Sequence, residues 1–164
     1  MPKIKLDELP SRDSFHHSVT LPLRFNDIDI LGHLNNTVYF SFYDTGKAYY
    51  LEAIEGGGKD WRRVESVIAN VDCAFIAPVY FGDDVEILTR CEHIGERSMT
   101  IFQMMLGKKD GLVKSVCRTV MVSINPDTKH SVPVPQKWLD GAARMEHTTP
   151  EALQAPFHTT INDL

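Results

Sequence analysis

Asp27, Asp29, His33, Asn35 and Asn36 fall within ten residues of one another, in the stretch NDIDILGHLNN at positions 26–36. A carboxylate can attack a carbonyl carbon or take a proton from water, and an imidazole beside it can orient either reactant. The residues just after the cluster matter as much: Asn35 or Asn36 is a suitable N-cap, and the pattern predicts a helix from Thr37 to about Ile54. The first turn of a helix carries unpaired backbone N–H groups and a partial positive charge. Such an end stabilises the oxyanion that forms when a carbonyl is attacked. Gly32 allows a left-handed turn or a close backbone approach. Carboxylate, glycine turn and helix start together make an acyl-transfer site. The same residue types also serve simply as caps and turn formers, and His33 could equally be satisfied by a backbone carbonyl, so the cluster alone leaves both readings open.

The elements that must position these residues are legible in outline. Phe15 to Phe25 reads as a strand, and Pro22 inside it, having no N–H for a ladder, points to a sheet edge or a local irregularity. The apolar residues of the helix, from Val38 and Tyr39 through Tyr43 to Ile54, nearly encircle it, the pattern of a buried helix. Gly56, Gly57 and Gly58 end it. Four β-branched and apolar runs come next, 66–77, 84–95, 97–106 and 112–124, with Gly-Asp, Gly-Glu and Asp-Gly turns between them. Short turns between consecutive strands predict an antiparallel meander. The fold class is therefore α+β, one antiparallel sheet of about five strands wrapped around one long central helix. Residues 1–14 form an N-terminal segment, 15–140 the domain, and 141–164 a C-terminal tail expected to drape over the surface or stay disordered, with 136–145 as a short helix.

At 164 residues, 43% hydrophobic and 24% charged, the chain suits one domain with a sizeable core. A net charge of -5 argues against a nucleic-acid partner. Cys73, Cys91 and Cys117 are odd in number and widely spaced, with no disulfide framework, and Cys73 has no neighbour in sequence that would activate a thiolate. A reducing, cytoplasmic location is expected, since no signal peptide and no membrane span is found. No metal set is expected: His16 and His17 point to opposite sheet faces, and His93, His130, His147 and His158 lack ligand spacing. Neither a G-x-S-x-G elbow nor a Walker loop occurs.

The stretch RFNDIDILGHLNNTVYFSFYDTGKAYY, with its D-x-D-x-x-G-H-x-N-N-x-x-Y form, resembles the 4-hydroxybenzoyl-CoA thioesterase family of hot-dog-fold proteins. The likeness continues through VDCAFIAPVYFGDDVEILTRCEHIGERSMTIFQMML and SVCRTVMVSIN to the V-P-V-P run at Val132 to Pro135, covering about residues 17–140. It implies an acyl-CoA thioesterase, releasing a carboxylic acid and CoA, with CoA as part of the substrate and no cofactor. Asp29 then matches the catalytic carboxylate, as nucleophile or general base. The backbone N–H of Asn36 matches the oxyanion donor, and His33 a histidine that orients thioester or water. Asp27 takes a structural role, pairing with Arg24, and Asp44 that of a solvated or interface group.

The resemblance further implies a homodimer whose sheets join edge to edge, with sites at the subunit boundary, and pairing of dimers into a homotetramer. Tyr39, Tyr43 and Phe75 become candidate walls of the acyl pocket, although any one of these aromatics could simply be core. Arg97 and Ser98 become candidates for the phosphate or pantetheine end of CoA, the alternative for Arg97 being a solvated charge. Ile30 and Leu31 depart from the family pattern, standing where smaller residues are common. Two other readings stay open: a thioesterase for acyl groups on acyl carrier protein, and a non-catalytic acyl-thioester binding module.

Overall fold

The computed structural model describes residues 6–157; His158 and the outermost parts of the two terminal segments lie outside the described residues. Five strands, β1 (His17–Leu21), β2 (Ser66–Phe75), β3 (Val85–Ile94), β4 (Ser98–Gly107) and β5 (Val113–Ser123), form one sheet. Its order is β1-β3-β4-β5-β2, antiparallel at every pairing. Helix α1 (Asn36–Ile54) packs on one face, giving the expected hot-dog arrangement of sheet around helix.

Several expectations need correction. The four runs after α1 do not form a single meander. β3, β4 and β5 do, but β2 pairs with β5 at the far edge, placing Cys73 opposite Cys117. The segment 76–84 is therefore a crossover and not a hairpin. Ile76 and Ala77 still donate to Lys114 O before the chain leaves the sheet. The first strand is also shorter than predicted, ending before Pro22, and it does form an edge.

Nor is α1 buried all round. Tyr39, Phe42, Tyr43, Tyr50, Leu51 and Ile54 face the sheet or the C-terminal helices, whereas Phe40 and Tyr49 are exposed. The reason is geometric: a single five-stranded sheet covers one side of a helix. Tyr43 O accepts from Gln103 Nε2 at 2.9 Å, tying the helix to the middle of β4.

The C-terminal segment packs further than the sequence indicated. Helices α2 (Gln136–Met145) and α3 (Pro150–Gln154) contribute Trp138, Leu139, Ala142, Ala143 and Leu153 to the core around Tyr50 and Ile54. Trp138 Nε1 donates to Glu55 at 2.7 Å. At the other terminus, Leu9 and Phe15 cover Leu88, Phe102 and Met104 on the sheet face away from α1, and Arg12 pairs with Glu86 at 2.6 Å.

Candidate active site

The aspartate segment folds as a pinned loop ahead of α1. Asp27 is buried and accepts from the backbone N–H of Arg24 at 2.7 Å and from its Nη2 at 2.8 Å. Burial alone would raise its carboxyl, but hydrogen bonds to the Arg24 side chain and backbone, with the guanidinium charge, outweigh that and hold it below the ordinary range. Asp27 O then accepts from Asn35 N at 2.9 Å, and Ile28 and Leu34 form an antiparallel bridge. Leu34 N donates to Val79 O at 2.8 Å, so the crossover clamps the loop from outside. At the tip, Asp29 N donates to His33 O and Gly32 N to Asp29 O, a turn that Gly32 closes at φ +82.

This frame fixes Asp29. Its Oδ1 accepts from Leu31 N at 2.8 Å, an Asx turn, and among the described residues Oδ2 has no hydrogen-bond partner. One oxygen sets the rotamer and the other is available for chemistry. Ile30 and Leu31, beside it at the tip, are fully and largely exposed.

The helix start supplies the complementary half. Asn35 is the N-cap: its side chain accepts from Thr37 N at 2.9 Å, and its carbonyl accepts from Val38 N. Asn36 N lies between these and has no acceptor among the described residues, so it is the donor the cap leaves over. His33 Nδ1 is 3.2 Å from Leu34 O; when Nδ1 carries the proton it donates there, and Nε2 is left as an acceptor.

The remaining candidates divide. His33, Asn36, Tyr39 and Phe75 line one cavity of about 340 Å³ together with Pro78 and Tyr80. Tyr39 and Phe75 meet edge to face at 5.0 Å, and burial, then the neighbouring Cys73, pushes the Tyr39 phenol up to about 12. Asp29 lines a second cavity, of about 490 Å³, with Phe25, Asn26, Ile28 and Phe81. Tyr43 belongs to neither: it is fully buried, bonded to Ser115 Oγ, and is core.

Arg97 and Ser98 stand elsewhere in the chain. They lie at the β3–β4 turn, next to Ile94 and Met99, which pack on the C-terminal half of α1. A 19-residue helix separates that end from Asn36 by about 28 Å. Arg97 donates to Ser131 O at 2.8 Å. Asp44 is exposed and pairs with the buried Lys47 at 2.9 Å. A hydrogen bond with Cys117, then burial, pushes the Cys73 thiol up. Among the described residues no group of three or more His, Cys, Asp or Glu could hold a metal, and no helix is long and apolar enough to cross a membrane.

Sequence reasoning missed Phe25, Pro78, Tyr80 and Phe81. The signal was present, since VYFGDD puts two aromatic residues in a turn-like stretch where a strand core has no use for them.

Comparison with known proteins agrees with this architecture. The family model described as the thioesterase-like superfamily matches residues 23–144. The YsmA protein of Bacillus subtilis is 21% identical over 132 residues, covering 79% of this chain and 84% of its own. A thioesterase of Thermus thermophilus, crystallised with coenzyme A and zinc, has TM-score 0.74 at 24% identity, over 82% of this chain and 97% of its own. A predicted thioesterase from Bacillus stearothermophilus has TM-score 0.70 at 25% identity, over 81% and 96%. The matched span contains the whole aspartate loop, α1 and four of the five strands, and the chain belongs to the thioesterase-like superfamily as a thioester hydrolase of the hot-dog fold.

Proposed function

We propose that the protein hydrolyses acyl-CoA thioesters to a free carboxylic acid and CoA, with Asp29 as the reacting carboxylate. The observation that carries this reading is the pairing of a loop-fixed Asp29, one oxygen uncommitted, with an Asn36 N–H that the helix cap leaves without an acceptor. As nucleophile, Asp29 attacks the carbonyl carbon, the C–S bond breaks, CoA leaves as thiolate, and water cleaves the resulting anhydride. As general base, it takes a proton from water, which attacks directly. Either route builds negative charge on the carbonyl oxygen, where the Asn36 N–H and the α1 dipole act. His33, with Nδ1 donating to Leu34 O, offers Nε2 as an acceptor that orients water or the thioester.

No cofactor is required beyond the CoA of the substrate. The Tyr39–Phe75 cavity, beside the helix start, forms part of the thioester slot. Arg97 and Ser98 reach CoA only if a second subunit presents them, in keeping with a homodimer or homotetramer.

The test is thiol release from a panel of short, long and aromatic acyl-CoAs. Wild type is expected to turn over at least one of them, and Asp29→Asn, which keeps the shape but loses charge and basicity, to fall by about 100-fold or more. An Asp29→Asn enzyme of wild-type rate sinks the mechanism.

A further inference from the structure

Asp29 lines one cavity and Asn36 another. A thioester carbonyl that meets both groups sits where the two spaces approach, and its acyl carbon and its sulfur then lead away in different directions. The pantetheine arm on the sulfur carries two amides, each of which needs hydrogen-bond partners. The Asn36 side offers them in His33, Asn36 itself and Tyr80. The Asp29 side is walled by Phe25, Ile28 and Phe81, with Asn26 as its single further polar residue. Phe25 and Phe81 meet edge to face at 6.1 Å, yet are 80% and 59% exposed. Rings so exposed contribute little to the fold of the chain itself, and apolar surface of this kind beside a reacting group marks a recognition site.

We propose that the Phe25–Phe81 cavity receives the acyl group, that the substrate class is an apolar acyl chain, and that these two rings set the accepted acyl length. The proposal rests on the functional reading above. The volume, about 490 Å³, is in the range of small-ligand sites. Both rings come from segments anchored around Asp29: Phe25 opens the turn that Asp27 closes, and Phe81 follows the Val79 clamp on Leu34. Wall and carboxylate are therefore held by one hydrogen-bonded frame, which is what length discrimination at the carbonyl requires.

Binding of S-methyl-CoA and S-octyl-CoA, two thioethers that cannot be hydrolysed, tests this apart from catalysis. Calorimetric titration of wild type is expected to give tighter binding of the octyl than of the methyl compound. Phe25→Ala and Phe81→Ala are each expected to cut that preference by roughly tenfold, the scale on which apolar pockets discriminate, with S-methyl-CoA affected less. Phe81→Trp, which narrows the space, is expected to shift preference toward the shorter compound. The proposal is overturned if both alanine variants retain the octyl preference, or weaken both compounds equally. It is also overturned if the alanine variants change the oligomeric state instead, since the rings would then seat a second copy of the chain. The functional reading fails on a separate result: wild type that binds S-octyl-CoA but releases no thiol from octanoyl-CoA.

Discussion

Asp27 gives both carboxylate oxygens to Arg24, whereas Asp29, two positions on, commits one oxygen to Leu31 N and keeps the other. The pair illustrates how one residue type divides between structure and chemistry by its partners, and the division can be measured. The Asp27 carboxyl is held below its ordinary value, so its contribution to stability is complete above the unfolded-state value, about pH 4. That contribution is lost as pH falls through the lower folded-state value. Asp27→Asn should therefore be less stable than wild type at pH 7, with the gap closing below about pH 4. Urea denaturation at both pH values checks it, and a gap independent of pH would assign the loss to shape and not to charge. The D-x-D spacing and the Arg24 partnership were legible in the sequence. Which aspartate kept a free oxygen was not, because that depends on the Leu31 N–H turning back onto Oδ1, a matter of backbone conformation.

At the scale of elements, the cap of α1 and the packing of α2 carry separate predictions. Asn35 takes the Thr37 N–H and so leaves Asn36 N as the free donor. Asn35→Ala should cost about 1 kcal/mol of stability. Asn35→Asp should keep the cap and the stability, yet lower kcat, because it sets a negative charge beside the developing oxyanion. Equal loss of stability and rate in both variants would argue that the cap serves the fold alone. In α2, a Cβ on Gly141 would stand 2.0 Å from Ile54 O, which is backbone and cannot swing aside. Gly141→Ala gains about 1 kcal/mol of helix propensity but should lose about 3 kcal/mol to overpacking, a net fall visible in thermal melts. The strand and helix positions were readable from periodicity and turn residues. The β2–β5 pairing was not, because short polar turns look alike whether the next strand lies alongside or across the sheet. The docking of α2 was equally hidden, since it depends on Gly141 meeting one carbonyl some ninety residues earlier in the chain.

At the scale of the whole molecule, the sheet has two edges of different character. β1 is five residues long, and β2 is ten, with Val67 and Ile68 exposed and a bulge between Ile68 and Asn70. A long apolar edge with unpaired backbone groups invites a partner strand. β2 also ends in Phe75, which lines the cavity at the start of α1, so a second copy joined along this edge would border the site. The uncovered side of α1, with Phe40 and Tyr49, adds further apolar surface that one sheet leaves open. Sedimentation is therefore expected to give a particle of at least twice 18.6 kDa. Ile68→Lys, a charge on the edge, should shift it toward monomer and lower thioesterase activity together, although Asp29 and its loop lie on other elements of the same chain. Monomers of full activity would show that one chain suffices for the chemistry, and would leave Arg97 and Ser98, about 28 Å of helix from Asn36, without a route to the substrate.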